Sequence, residues 1–176
     1  MNTIEFKQFA DNKHNLPSES QRYGSVPYSK HTQDVFDVNR EYNYYLKNED
    51  KDDVDKVSYG HDLIEDTDVS VKDIEEYANK RVARIIFNVS NERGLDRKEK
   101  NFKTYPKIWS DDLSIYVKLC DRIANTRNSK KSGDKKINGD SLFSMYKKEY
   151  SLFKYALKVR NLYPDMWDEL DSLYYK

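Results

Sequence analysis

Apolar residues recur along the chain three and four positions apart, which is the spacing of one face of an α-helix. The clearest example runs from Asp112 to about Thr126, with Leu113, Tyr116, Val117, Cys120 and Ile123 on one face. Similar faces predict further helices with these apolar sets: Ile4, Phe6 and Phe9; Val35, Val38, Tyr42 and Tyr45; Val54 and Val57; Val71, Ile74 and Tyr77; Val82, Ile85, Ile86 and Val89; Phe143, Tyr146, Tyr150, Phe153 and Leu157. Because only five glycines and four prolines are present, the many turns of a β-rich fold are not expected. The pattern predicts an all-α bundle of about seven to nine short helices, forming a single domain over 1–176.

Two helix starts and one loop are predicted from polar residues. Asp52 or Asp53 is suited to cap one helix, because a short acidic side chain can accept from the first free backbone amides. Ser70 with Asp73 three positions later is suited to start another, since the two residues can cap each other reciprocally. The segment 128–140 is polar, basic and holds two of the five glycines. It is predicted to be a mobile loop.

Composition excludes several classes of function. The 31 Lys and Arg balance the 31 Asp and Glu, which argues against a nucleic-acid binder, usually a basic protein. No apolar run is long enough for a transmembrane helix, and the N-terminus does not resemble a secretory signal. The single Cys120 excludes an internal disulfide and fits a reducing compartment, so we expect a cytoplasmic protein. With three histidines and one cysteine a zinc finger is impossible, and any metal site must rely on carboxylates.

The segment HDLIEDT, 61–67, concentrates ligating groups. If it is helical, His61 and Glu65 lie one turn apart, as do Asp62 and Asp66, so one turn carries an imidazole and three carboxylates. Such a concentration of negative charge is unfavourable without a cation. Imidazole and carboxylate ligands together suit Mn, Fe, Zn or Co better than calcium. A solvated acidic helix end is the alternative interpretation of this segment alone.

Two further segments contain candidate site residues. In VKLCDRIANTR, 117–127, Asp121 and Asn125 share one side of the predicted helix. In QRYGSVPYSKH, 21–31, His31 follows a turn formed around Gly24 and Pro27. Taken alone, an acid on an amphipathic helix is usually a solvated charge. A single histidine is more often a satisfied surface or core residue than a ligand.

Taken together and in this order, the three segments resemble the HD-domain metal-dependent phosphohydrolases of the RelA/SpoT type. The resemblance is closest to the small stand-alone alarmone hydrolases of the metazoan SpoT-homologue type. The family patterns are an R-x-G-x-P-Y-x-x-H-like start, then H-D-x-x-E-D-T and K-L-x-D-x-x-x-N. In this chain two residues, rather than one, separate Gly24 from Pro27. The matching residues are Arg22, Gly24, Pro27, Tyr28, His31, His61, Asp62, Glu65, Asp66, Thr67, Lys118, Leu119, Asp121 and Asn125. The motif-bearing part is therefore about 20–127, and the second pattern separates this branch from HD nucleotidases and cyclic-nucleotide phosphodiesterases.

The resemblance implies a role for each matching residue. Four side chains would ligate one divalent metal, typically Mn²⁺ in this family: His31, His61, Asp62 and Asp121. Glu65 and Asp66 would orient or deprotonate the attacking water. Arg22 would face the nucleotide base, and Asn125 would contact the ribose side.

The substrate contacts are less well defined by the patterns. Ser58, Tyr59 and Gly60 stand where the family usually has small apolar residues and leucines. A basic phosphate grip is expected, with Lys98 as its assigned residue; the alternatives are Lys100, Lys103, Lys107 and Arg127. Tyr146 is assigned to the wall of the base pocket, and Tyr150 is the alternative, although tyrosines at helical spacing more often belong to the core.

The implied activity is a Mn²⁺-dependent guanosine-3′,5′-bis(diphosphate) 3′-pyrophosphohydrolase that yields GDP or GTP and pyrophosphate. A first alternative keeps the metal site but acts on a dNTP, a nucleoside monophosphate or NADPH. A second alternative is a nucleotide-binding module without turnover, which Glu65 and Asp66 disfavour because binding alone needs no water-activating pair. The expected partner is a small-molecule nucleotide, with neither nucleic acid nor membrane involved, and the oligomeric state stays open.

Overall fold

The computed structural model describes residues 1–15, 22–23, 26–131, 136–137 and 140–176. Its α-helices are α1 (Thr3–His14), α2 (Ser29–Tyr42), α3 (Asn48–Gly60), α4 (Leu63–Asp66), α5 (Val71–Tyr77), α6 (Lys80–Val89), α7 (Arg97–Trp109), α8 (Asp112–Lys131), α9 (Leu142–Leu157) and α10 (Pro164–Tyr175). Short 3₁₀ turns follow α2 and α9. Within the described ranges, α4 is a single turn and nine helices have seven residues or more, which confirms the predicted all-α bundle.

Two antiparallel pairs of two-residue strands accompany the helices. β1 (Arg22–Tyr23) pairs with β2 (Val26–Pro27), with Arg22 opposite Pro27. β3 (Lys136–Ile137) pairs with β4 (Asp140–Ser141). Each pair is too short to form a sheet with a core face of its own. The helices therefore supply the packing.

Helix α8 runs through the centre of the bundle. It packs against α2, α3, α6, α7, α9 and α10. The predicted apolar face of α8 is buried, and so are Ile115 and Leu119 on other sides of the helix. A helix that is buried on nearly all sides belongs to the core, where a charged residue needs a partner. Asp121, only 9% exposed, stands in the middle of this helix.

The packing of α2, α3 and α8 brings distant parts of the chain together. α2 and α3 pack against each other and both pack against α8. His31 lies in the first turn of α2, and His61 directly follows α3. Because both helices pack against α8, the two histidines approach Asp121 from adjacent sides. The bundle thus creates the site through the mutual packing of three helices.

The capping prediction for α5 is confirmed, and that for α3 is wrong. Ser70 and Asp73 form the reciprocal capping box at the start of α5. α3 begins at Asn48, several residues before Asp52 and Asp53, and its first turn carries acids that interact favourably with the positive end of the helix dipole. Inside α3, Asp52 pairs with Lys56 and accepts from Thr3, while Asp53 accepts from Asn79.

Two predicted boundaries also differ from the structure. The helix predicted from the apolar set Val35, Val38, Tyr42 and Tyr45, expected to span about 29–46, ends at Tyr42 and continues as the 3₁₀ turn Asn43–Tyr45. The start of the predicted loop 128–140 continues α8 as far as Lys131. Positions 132–135 and 138–139 of that loop lie outside the described residues. Its mobility stays a prediction.

Gly60, the last residue of α3, is required by close packing. A Cβ at this position would lie 2.8 Å from Cε1 of Phe6 and 3.1 Å from Cδ1 of Leu63, and both side chains are fully buried. Overpacking of this kind costs about 1–3 kcal/mol, and the helix preference for alanine, about 1 kcal/mol, offsets part of it. We expect Gly60→Ala to lower the free energy of unfolding by about 1 kcal/mol in urea titrations. Unchanged stability would show that Phe6 and Leu63 move aside without cost.

Candidate active site

The four predicted ligands converge at one point. Nε2 of His31 lies 3.2 Å from Nε2 of His61, 3.4 Å from Oδ1 of Asp121 and 3.6 Å from Oδ2 of Asp62. Nε2 of His61 lies 2.9 Å from Oδ2 of Asp62 and 3.9 Å from Oδ1 of Asp121. Four potential donor atoms from α2, the α3–α4 junction and α8 therefore face the same small volume.

The donor set fits a divalent metal ion. Ligand atoms about 2.0–2.2 Å from one ion lie about 3–3.5 Å from each other, close to most of the distances observed here. Nδ1 of His61 donates to the carbonyl oxygen of Ser58 at 3.0 Å, because a carbonyl can only accept. That bond orients Nε2 towards the cluster, as the outer hydrogen bond of a metal-binding histidine commonly does. His31, His61 and Asp121 could hold a metal ion, with Asp62 beside them.

The surroundings of the cluster favour a positive charge at its centre. Burial alone would lower the pKa of His31, but hydrogen bonds to Asp121 and Asp62 outweigh it and raise the pKa to about 9. Burial would raise the pKa of Asp121, but Lys118 and the two histidines outweigh it and hold the pKa below its usual value. The two histidines likewise outweigh burial at Asp62 and hold its pKa well below the usual value. The two carboxylates therefore stay ionised and stabilise a cation between them.

The segment 61–66 is not one continuous helix. His61 directly follows α3, Asp62 has non-helical backbone angles, and α4 starts at Leu63. The predicted face of one imidazole and three carboxylates on a single turn is therefore wrong. The break instead directs Asp62 to the two histidines, while Glu65 and Asp66 line the adjoining cleft from α4. Thr67 ends α4, its hydroxyl donating to the Leu63 carbonyl.

The pKa values of both α4 carboxylates are raised. Burial raises the pKa of Glu65, and the negative charge of Asp62 adds to the effect. Burial, with Asp62 and Glu65 nearby, raises the pKa of Asp66 to about 6. Glu65 is held by Asn91, whose backbone NH donates to Oε1 at 2.6 Å and whose Nδ2 donates to Oε2 at 2.8 Å. A carboxylate whose pKa is raised towards neutrality is suited to accept a proton in catalysis.

Three members of the cluster, His31, Asp62 and Asp121, line a cleft of about 260 Å³. The lining combines acidic and imidazole groups with cationic, amide and aromatic ones. The lining residues are Tyr28, His31, Asp62, Glu65, Asp66, Asn91, Arg97, Asn101, Lys118, Asp121, Arg122, Asn125 and Tyr146. An anionic ligand with a hydrophobic or aromatic portion is the chemical class that such a lining can accommodate.

Arg97, rather than Lys98, faces the cleft. Lys98 lines a separate surface groove with Phe102 and Leu152, so the structure does not support its assignment to the phosphate grip. The reason is helical geometry, since successive residues on α7 point about 100° apart. Arg97 is joined in the cleft by Lys118 and by the next cation along α8, Arg122.

The other basic candidates have partners outside this cleft. Lys103 pairs with Glu99, and Lys107 pairs with Glu92 at 2.7 Å. Arg127 binds Glu41 and Glu169 in bidentate pairs. Lys100 lines an adjoining cavity that shares Glu65 and Arg97 with the cleft.

Lys118 and Arg122 on α8 line the cleft but were not predicted to bind phosphate, although the sequence indicates their direction. Positions 118, 121, 122 and 125 share one side of a helix, because they are three or four residues apart. Once Asp121 is assigned to the metal site, Lys118 and Arg122 must point to the same region. Lys118 confirms this geometry, with Nζ 3.2 Å from Oδ2 of Asp121. Arg97 has no comparable signal, because its position depends on how α7 packs against α8.

The remaining predicted substrate contacts are partly described. Asn125 lines the cleft and donates from Nδ2 to Oδ1 of Asp121, so it also orients a candidate ligand. Tyr146 lines the cleft, whereas Tyr150 is buried in the core with its hydroxyl bonded to Asp171. The backbone of Arg22 belongs to β1, and its side chain lies outside the described residues. The nucleotide contacts of all these residues stay predictions.

Comparison with known proteins supports the fold. No family model matches the chain. A solved structure of a metazoan ortholog of SpoT, which hydrolyses ppGpp and plays a role in starvation responses, is similar with a TM-score of 0.74 and 19% sequence identity. The match covers 98% of this chain and 93% of that one. The chain therefore shares the overall fold of that structure.

No described helix has both the length and the apolar content that crossing a membrane requires.

Proposed function

We propose that the chain is a Mn²⁺-dependent pyrophosphohydrolase that converts guanosine 3′,5′-bis(diphosphate), or its pentaphosphate form, into GDP or GTP and pyrophosphate. The observation that carries the proposal is the convergence of His31, His61, Asp62 and Asp121 at a cleft that also holds two carboxylates and three cations. The fold similarity to a protein that hydrolyses ppGpp supports the choice of substrate. The proposed site of action is the cytoplasm.

The chain's own groups account for the proton transfer and the charge balance. A divalent ion held by the four ligands would supply Lewis-acid chemistry and make water easier to deprotonate. Glu65, positioned by Asn91, accepts a proton from the attacking water, and Asp66 is the second candidate. The water oxygen bonds to the phosphorus next to the ribose, and the bond from that phosphorus to the 3′ oxygen breaks. The 3′ oxygen takes up one proton, which balances the proton that the base removed from the water.

The three cations have a separate role in this proposal. Arg97, Lys118 and Arg122 stand in the same cleft as the proposed base. Cations that line such a cleft can stabilise the negative charge that develops on phosphate oxygens in the transition state. A guanidinium also matches the geometry of two phosphate oxygens better than an ammonium does. The arrangement thus suits a substrate that presents a diphosphate.

A panel of nucleotides tests the substrate. The protein is incubated with the alarmone, dNTPs, nucleoside monophosphates and NADPH, each with Mn²⁺, with Mg²⁺ and without metal. Anion-exchange chromatography is expected to show GDP and pyrophosphate from the alarmone in the Mn²⁺ series. Cleavage of a dNTP to nucleoside and triphosphate, with the alarmone left intact, would contradict the substrate but not the metal site. Binding of nucleotides without any product would favour the non-catalytic alternative.

Arg22→Ala tests the recognition of the base. The backbone of Arg22 lies opposite Pro27, the residue before Tyr28, whose hydroxyl donates to Asp62. A guanidinium can stack on a purine, an interaction of about 0.5–2 kcal/mol. Because the base is remote from the reacting phosphorus, we expect KM for the alarmone to rise about 3- to 30-fold with a smaller change in kcat. Arg40→Ala, on an exposed part of α2, serves as the control.

If kcat falls while KM stays constant in Arg22→Ala, Arg22 acts on the chemical step and the base contact is not its role.

A further inference from the structure

Glu149 on α9 lies between the two arginines of the cleft. Its Oε2 lies 3.3 Å from Nη1 of Arg122 and 3.3 Å from Nη2 of Arg97, and Oε1 accepts from Nε of Arg97. Arg97 belongs to the first turn of α7, and Arg122 to the middle of α8. One carboxylate thus connects cations from two different helices. Glu149 does not itself line the cleft.

The same two guanidinium groups are packed against one aromatic ring. Arg122 lies 4.9 Å from the centre of the Tyr146 ring, and Arg97 lies 5.6 Å from it. Phe153 contacts Arg122 as well, at 4.6 Å from its ring centre. Tyr146, Glu149 and Phe153 are three and four positions apart, so these contacts with the two arginines all come from one face of α9.

The two arginines differ in burial, so the contact with Glu149 has a different effect on each. The side chain of Arg122 is 6% exposed, that of Glu149 17% and that of Arg97 48%. A nearly buried arginine needs a counter-charge, which Glu149 supplies. A half-exposed arginine would otherwise move among many rotamers, and a bidentate contact to a carboxylate restricts it. Glu149 therefore acts on both cations, but in different ways.

We propose that Glu149 is a positioning residue that holds the guanidinium groups of Arg97 and Arg122 in the orientation that binds the diphosphate of the substrate. The inference rests on the proposed function in assigning a diphosphate to this part of the cleft. Glu149 contacts neither the substrate nor the metal ligands and acts through the two arginines. Neither the motifs nor the fold comparison assigns it a role.

A structural ion pair between α7, α8 and α9 would give the same contacts but different consequences. Loss of such a pair would lower the melting temperature and leave the affinity for a diphosphate unchanged. Loss of a positioning residue raises KM and the dissociation constant for a diphosphate together. The matched control is Asp171→Ala, which removes the ion pair of Asp171 with Lys154, also on α9, away from the cleft.

The first measurement compares Glu149→Ala and Glu149→Gln with the Mn²⁺-loaded wild type. We expect Glu149→Ala to raise KM for the alarmone about tenfold, corresponding to about 1.4 kcal/mol, with a smaller change in kcat and unchanged Mn²⁺ content. Glu149→Gln keeps one acceptor oxygen, and a smaller rise is expected. Unchanged KM in Glu149→Ala, with a melting temperature lowered as in Asp171→Ala, would overturn the proposal. So would a lower KM in Glu149→Gln, since Glu149 would then compete with the substrate.

The second measurement is a double-mutant cycle with Arg97→Ala. If Glu149 acts through the arginines, removing it from the Arg97→Ala protein raises KM by less than it does in the wild type. Fully additive effects would contradict a shared role. The cycle thereby separates positioning from a general loss of stability, which would not depend on Arg97.

The third measurement does not require turnover. Equilibrium dialysis of Mn²⁺-loaded protein against labelled inorganic pyrophosphate at micromolar concentration gives its dissociation constant, which we expect to rise about tenfold in Glu149→Ala. If the wild type binds pyrophosphate but does not hydrolyse the alarmone, the proposed function fails, and this constant still decides the role of Glu149. A wild type that does not bind pyrophosphate contradicts the role of Glu149, whatever the nucleotide assay shows.

Discussion

Asp62→Ala is expected to abolish metal binding and activity together while the chain stays folded. Oδ2 of Asp62 lies 2.9 Å from Nε2 of His61 and 3.6 Å from Nε2 of His31, so the substitution removes one of four converging donors. Loss of a partner outside the ligand shell already weakens metal binding about 10- to 100-fold. We therefore expect more than about 100-fold weaker Mn²⁺ binding for loss of a ligand. Elemental analysis after dialysis and a Mn²⁺ titration measure the effect, and circular dichroism checks the fold.

A melting experiment tests the same site without an activity assay. A ligand that binds only the folded state stabilises it by about 2.7 kcal/mol at a concentration 100 times its dissociation constant. Mn²⁺ should therefore raise the melting temperature of the wild type but not that of Asp62→Ala. Asp68→Ala is the control, because Asp68 is a nearby exposed acid paired with Lys13. Full metal occupancy in Asp62→Ala would show that Asp62 is not a ligand.

The central helix shows which parts of the fold the sequence could predict. The apolar spacing between Asp112 and Thr126 predicts the start of α8 and its buried face, since every predicted apolar position of α8 is buried, but not its continuation to Lys131. The spacing could not predict that Ile115 and Leu119 are buried too, since this depends on neighbours that pack around the whole helix. The apolar pattern of one segment predicts which face of its helix is buried. It does not predict how many other helices surround that helix, because this number depends on the assembled bundle.

The α3–α4 junction shows the same limit inside the site. The motif residues His61 and Asp62 identified the cluster, since ligand chemistry depends on residue type. The local geometry was predicted wrongly, because a continuous helix is the simplest interpretation of 61–66, whereas Asp62 breaks it. The close approach of Phe6 to Gly60, just before the break, comes from α1, and nothing in the motif specifies that neighbour.

The cations of the cleft differ in whether their orientation can be predicted from the sequence of their own helix. Lys118 and Arg122 share a helix with Asp121, and their direction follows from helical spacing alone. Whether Arg97 or Lys98 enters the cleft depends on the rotation of α7 about its own axis. That rotation is fixed by packing, in which Tyr105 and Ile108 are buried. A one-residue error of this kind is therefore expected where two adjacent residues are both basic.

Glu65→Gln is expected to lower kcat about 10²- to 10⁴-fold while Mn²⁺ binding stays close to that of the wild type. The substitution removes a proton acceptor and does not remove any of the four converging donors. A glutamine can still accept one hydrogen bond from Asn91, although Glu65 accepts two, from the backbone NH and from Nδ2. Single-turnover rates with saturating alarmone measure the chemical step, and elemental analysis confirms that the metal is retained.

Asp66 is the competing base, and the two carboxylates can be distinguished. The pKa of Asp66, raised to about 6 by burial and by two neighbouring carboxylates, also suits proton transfer near neutral pH. If Glu65 is the base, Asp66→Asn should lower kcat less than Glu65→Gln does. A near-normal rate in Glu65→Gln together with a large loss in Asp66→Asn would assign the role to Asp66. Glu92→Gln controls for the loss of an acid from the loop beside Asn91, because Glu92 pairs with Lys107 and does not line the cleft.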